Sequence, residues 1–176
     1  MLLTWALRTL QQQKATIEGK VRSVSPALLN YSNDASSWTV LQIVDHLRRV
    51  EAEFVREMAG ARTSSARVSA GERAKAVLLI GLMLLPTRLK APNGPKIDPE
   101  TALNRESALA DWTLARAALL KSVHELRATS FNGGVVRHPV SGWMGLTAAT
   151  WFLAAHTIHH RYQFRRVMKE GRKNEH

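Results

Sequence analysis

Leu3, Ala6, Leu7, Leu10, Ile17, Val21 and Val24 recur at three- and four-residue steps, with Lys14 in the same row. That spacing gathers side chains on one side of an α-helix and predicts a first amphipathic helix reaching about Val24. Pro26 and the polar stretch from Asn30 to Ser37 break it. The second helix opens at Thr39-Val-Leu-Gln42, where the Thr39 hydroxyl can accept from a first-turn amide while the Gln42 side chain reaches back to the Thr39 amide. Its pattern continues through Asp45-His-Leu47 to about Gly60.

Residues 61–97 are less regular: a polar, basic stretch, an apolar run from Ala76 to Leu85, then Ala91-Pro-Asn-Gly-Pro95, dense in turn formers. They read as a crossover carrying one short helix, with the apolar run as a buried helix or an oligomer contact. Asp98-Pro99-Glu100 is a helix start, with an aspartate cap, a proline at the first helical position and a glutamate matched to the helix dipole. Leu109, Trp112, Leu119, Leu120, Val123 and Leu126 form its apolar stripe. Phe131-Asn-Gly-Gly134 stops that helix, a loop follows with His138-Pro139 and Ser141-Gly142-Trp143, and a last helix runs from near Thr147 to Gly171. No β-alternating stretch of useful length and no internal repeat interrupts the series. The expectation is an all-α four-helix bundle with a long crossover, residues 1–176 forming a single domain.

The densest chemistry lies in the last helix, at Ala155-His-Thr-Ile-His-His160-Arg-Tyr-Gln163. His156 and His160 are one helical turn apart, so both rings face the same way and can grip one metal ion. His46 stands on the second helix. At about 1.5 Å per residue it lies about 21 Å before that helix ends, while His156 and His160 lie about 14 and 20 Å after the last helix starts. Antiparallel helices therefore bring the three rings to one level, whereas parallel helices leave His46 at only about 10 Å and off that level. Three imidazoles leave a coordination position open, the arrangement of a catalytic rather than a structural site. With no cysteine in the chain, thiolate metal sites and a cysteine nucleophile are excluded.

Charge adds a second theme. A net charge of +11 concentrates in a middle segment (Arg62, Arg67, Arg73, Lys75, Arg88, Lys90, Lys96) and near the C-terminal end (Arg161, Arg165, Arg166, Lys169, Arg172, Lys173). Such a surface attracts nucleic acid, acidic membrane or anionic small molecules. No aromatic residues interleave the basic ones for base stacking, and a solvated surface accounts for the runs. The apolar run is about half the roughly 20 residues a membrane span needs, so no span is expected. Met1-Leu-Leu-Thr-Trp-Ala-Leu-Arg8 lacks a basic region ahead of an unbroken apolar one, and a cytoplasmic location is the expectation.

Two segments together carry a family resemblance. Ser37-Trp-Thr-Val-Leu-Gln-Ile-Val-Asp-His46-Leu resembles the start of the second helix in the DinB-like (YfiT-like) superfamily. His138-Pro-Val-Ser-Gly142 followed by Trp151-Phe-Leu-Ala-Ala-His156-Thr-Ile-His-His160-Arg-Tyr-Gln163 is similar to that superfamily's last-helix segment. The resemblance implies a four-helix bundle with a long crossover and a divalent metal, usually zinc or nickel, held by His46, His156 and His160. Members with established activities are similar to S-transferases that use a low-molecular-weight thiol (bacillithiol or mycothiol), or to a mycothiol-dependent maleylpyruvate isomerase.

Around that set, His159 points about 100° away from His160 and is expected at the rim or behind a ligand. Gln163, one turn beyond His160, can hydrogen-bond a ligand or sit on the surface. His138 can cap a helix or line the pocket mouth. Glu53 lies two turns from His46 on the same face, a candidate to accept from a ligating imidazole or to act as base. Asp45 is turned away from that face, and both acids read as surface charges. Trp143 and Trp151 can wall a pocket or fill the core; His124 and His176 read as incidental.

Three functions stay open: an S-transferase that activates a low-molecular-weight thiol, a hydrolase on the same metal, and a non-catalytic basic bundle that binds nucleic acid or an acidic partner. The stretch Val77 to Leu85 adds the expectation of a homodimer.

Overall fold

The computed structural model describes residues 1–32, 37–61, 66–86, 99 and 103–173. Four long helices dominate them: α1 (Leu2–Arg22), α3 (Val40–Ala61), α5 (Arg105–Ala128) and α6 (Leu146–Lys173). Between these lie a single turn, α2 (Pro26–Leu29), the crossover helix α4 (Ala70–Met83), and a hairpin of β1 (Val136–His138) and β2 (Gly142–Met144).

Two apolar layers show how the helices run. One layer joins Ile17 and Val21 of α1, Ile43 and Leu47 of α3, Leu109 and Trp112 of α5, and Phe164 and Val167 of α6. The other joins Leu10 of α1, Phe54 and Met58 of α3, Leu119 and Val123 of α5, and Phe152 and Leu153 of α6. Helices α1 and α6 thus run from the second layer to the first, while α3 and α5 run the opposite way. The expected all-α bundle with a long crossover is observed, in up-down-down-up order. Because α3 and α5 are parallel, the chain between them must return along the bundle, which is why the crossover is long.

Local chemistry sets the boundaries. The Gln42 amide donates to Thr39 Oγ1 at 3.2 Å and the Thr39 amide to Gln42 Oε1 at 3.0 Å, completing the expected capping box of α3. Helix α1 stops at Arg22, slightly short of Val24, and Pro26 opens α2 behind a Ser25 cap instead of only breaking a helix. The expected helix start at 98–100 is not where α5 begins: Asp98 and Glu100 lie outside the described residues, and α5 opens at Arg105 with Asn104 as its cap. Helix α4 starts ahead of the apolar run, at a second capping box between Ser69 and Glu72. Of the run itself only Ala76 and Leu79 are buried, so the expectation of a buried helix fails. The loop expected after Gly134 contains the short hairpin, paired Val136 to Met144 and His138 to Gly142.

The stripe of α5 is interrupted by a charge. Arg116 is buried against Glu51 of α3, its Nε donating to Glu51 Oε2 at 2.9 Å and one terminal nitrogen to the Leu10 carbonyl at 2.9 Å. The indole of Trp112 donates to Glu51 Oε1 at 2.9 Å. This network ties α1, α3 and α5 together at mid-height, whereas Leu120 of the expected stripe is only half-buried.

Candidate metal centre

Because α3 and α6 are antiparallel, His46 faces His156 and His160 at one level. The Nε2 atoms of His46 and His156 are 3.4 Å apart and those of His156 and His160 are 3.0 Å apart. One ring nitrogen from each of the three lies within 4.8 Å of the others. Bonds of about 2.0–2.1 Å in a tetrahedral set put ligand nitrogens about 3.3 Å apart, so the donor spacing fits a divalent ion.

The protonation state fits as well. His156 and His160 are buried, and burial pushes both far below the ordinary 6.5, with the neighbouring imidazoles adding to it. Both rings are therefore neutral at pH 7. His160 Nδ1 donates to Gln163 Oε1 at 2.8 Å, which leaves the Nε2 lone pair facing His156. The i, i+3 spacing on α6 supplies this bond, and it fixes the tautomer a ligand needs.

Aromatic rings wall the cluster. Trp38, just before the α3 cap, stacks over His160 with centroids 5.9 Å apart and tilts over His46 at 4.6 Å. Phe152, one turn before His156, stacks on that ring at 5.6 Å. Neither residue stood out as functional in the sequence, although the four-residue step from Phe152 to His156 was a usable signal. His138, at the end of β1, reaches Phe152 at 4.8 Å. The Val140 amide donates to His138 Nδ1 at 3.1 Å, and burial lowers the His138 pKa, so the neutral ring carries its proton on Nε2.

The hairpin is held by carboxylates. The Arg137 amide donates to Glu57 Oε2 at 2.6 Å and the Trp143 amide to Glu72 Oε1 at 2.9 Å. Gly142 has φ +78°, and a Cβ there would stand 2.5 Å from that same Glu72 oxygen, so both conformation and space call for glycine.

Other candidates fall elsewhere. His159 is buried rather than at a rim, edge-on to His160 at 5.5 Å, and its Nδ1 has no partner among the described residues. Burial, and secondarily Arg166, lowers its pKa. Glu53 is engaged by Arg56, whose Nε donates at 2.9 Å, and that bond holds its carboxyl below the ordinary range. Asp45 is not a surface charge: it is 2% exposed and accepts from Arg48 and Arg49 at 2.8 and 2.7 Å. Trp143 covers Gly134 and Trp151 packs on the apolar layer, so both support the core. His124 is exposed, and His176 lies outside the described residues.

A model of the DinB superfamily matches residues 9–164. No curated protein and no solved structure matches the chain.

Proposed function

Since the chain belongs to the DinB superfamily, we propose that it is a divalent-metal-dependent S-transferase acting as a single domain over residues 1–176, with His46, His156 and His160 as ligands to zinc or nickel. The observation that carries this reading is the spacing of three imidazole nitrogens at 3.0 and 3.4 Å, on rings walled by Trp38 and Phe152. A bound dication supplies positive charge that favours the deprotonated form of a thiol or water at the open coordination position.

The chain's own residues supply the remainder. Gln163 holds His160 in its ligating tautomer, and Trp38 and Phe152 exclude water from two sides of the cluster. His138 presents an Nε2 proton to an anionic substrate or leaving group. In the transfer, the thiol sulfur forms a bond to an electrophilic carbon, the leaving group departs with its bonding pair, and the thiol proton passes to solvent. The basic surface draws in a carboxylate-bearing thiol. We place the reaction in the cytoplasm, where small thiols stay reduced.

The test begins with metal content by plasma mass spectrometry on untagged protein, beside His46→Ala and His156→Ala variants checked by circular dichroism. About one ion per chain, lost in both folded variants, supports the site. Turnover of an alkyl halide that requires an added low-molecular-weight thiol supports transfer. Thiol-independent cleavage of an activated ester instead establishes the hydrolase, and a chain that takes up no metal yet binds DNA with steep salt dependence is the non-catalytic bundle.

A further inference from the structure

We infer that His159, Gln163 and Arg166 of α6 form a carboxylate subsite beside the histidine cluster, placed to hold the far end of a thiol whose sulfur sits at the metal. The subsite stands on its own geometry, while its use by a thiol rests on the S-transferase proposed above. Steps of four and three residues set these side chains within about 60° of one another around α6, next to His160. Each offers a donor that the chain itself does not use. The His159 imidazole is buried and edge-on to His160 at 5.5 Å, and its Nδ1 has no partner among the described residues. Gln163 commits Oε1 to His160 Nδ1, which leaves its amide nitrogen to donate elsewhere. Arg166 is half-buried and forms no ion pair among the described residues.

Position and charge select the ligand. Side chains on a helix lean toward its N-terminal end, which brings Arg166 back toward Gln163 and His159. Its charge reaches both His159 and His160, and among the described residues it is the one charged side chain acting on His159. The planar fork of a guanidinium matches a carboxylate in two-point contact. An orphaned buried nitrogen calls for a partner from outside the chain, and a carboxylate oxygen accepts from the Nδ1–H tautomer of His159. Three neutral imidazoles leave the charge of a bound dication uncompensated, and Arg166 adds to it. A ligand with a thiolate at one end and a carboxylate at the other balances both. Six residues separate His160 from Arg166, about 9 Å along the helix axis, so the two ends of that ligand stand several bonds apart.

Two titrations test the subsite. In the metal-free full chain, hexanoate should shift the His159 imidazole signals in proton–nitrogen NMR, whereas hexanol should not. Arg166→Met should lose that shift with unchanged circular dichroism, and Arg165→Met, which removes an equal charge from an exposed neighbour, should keep it. In the zinc-loaded chain, calorimetry should show 6-mercaptohexanoate binding about tenfold or more tighter than 6-mercaptohexanol, as a hydrogen-bonded charge provides. Arg166→Met should remove that preference and leave binding of the alcohol unchanged. A His159 signal that hexanoate does not move, a carboxylate effect that survives Arg166→Met, or an equal loss in Arg165→Met would overturn the inference. A hexanoate shift that depends on Arg166 in a chain that takes up no zinc would uphold the subsite and sink the S-transferase reading.

Discussion

Which of its two nitrogens a histidine offers is decided by what the other one touches. His160 gives its Nδ1 proton to Gln163 Oε1 at 2.8 Å, so its Nε2 is a lone pair aimed at the cluster. Replacing Gln163 by Ala removes that constraint and lets the ring rotate or change tautomer. Metal affinity is expected to fall by about 10- to 100-fold, with the fold unchanged. Competition with a chromophoric chelator measures it, and an unaltered affinity would show that the ring is held by other contacts. The three histidines were legible in the sequence because two share a helical face and the third sits on a helix of matching depth. Asp45 was misread for a related reason. Facing away from one helix is not facing solvent in a bundle, and Asp45 is buried between its own Arg48 and Arg49. Trp38 was read only as part of the segment that resembles the family's second-helix start, and its place over the cluster was not, because its stacking on His160 spans two elements and leaves no local spacing to read.

Helices α3 and α5 are joined through charge as well as apolar packing. Glu51 and Arg116 are both almost fully buried and pair with each other; Glu51 also accepts from the Trp112 indole, and Arg116 also donates to the Leu10 carbonyl. Glu51→Ala leaves the guanidinium buried without its anion and is expected to cost about 3–5 kcal/mol in urea unfolding. Adding Arg116→Met should recover much of that loss, because the uncompensated charge is then gone. Glu72 couples α4 to the hairpin, and here the expected signature is a pH dependence. Backbone donation from Trp143 and then from Ser69 holds its carboxyl below the ordinary 4.5. The unfolded chain therefore takes up the proton first as pH falls, and the contribution of Glu72 to stability, complete well above 4.5, is lost as pH drops through the lower folded value. Thermal midpoints of wild type and Glu72→Gln should differ most at neutral pH and converge in acid; a constant gap would mean that the link does not depend on the carboxylate. The capping box that starts α4 was present in the sequence as Ser69-Ala-Gly-Glu72, but the apolar run beside it drew the helix boundary too late. The hairpin was invisible for a different reason: three residues per strand are too few for alternation to register, and Glu57 and Glu72, distant in sequence, hold it.

At the scale of the whole molecule, the direction of the chain explains why distant histidines meet. Periodicity gave the number of long helices, and matching ligand depths favoured antiparallel α3 and α6. The parallel course of α3 and α5 was not readable, because it depends on the crossover's path between the two apolar layers and not on any local pattern. In this topology the histidine cluster bridges α3 and α6, elements that start far apart in the chain, so an ion held there links the second helix of the bundle to its last. Unfolding separates His46 from His156 and His160 and abolishes the three-point site, so binding must stabilise the folded state by mass action. At free metal about 100-fold above Kd the gain is about 2.7 kcal/mol. For a chain of this size, at about 2–4 °C per kcal/mol, Tm should rise by about 5–11 °C. Differential scanning calorimetry with zinc and with nickel measures the rise. His46→Ala should abolish most of it even though His156 and His160 remain together on one helix, because the surviving pair no longer spans two elements. An equal rise in that variant would mean that the ion binds along α6 alone and contributes nothing to holding α3 in place.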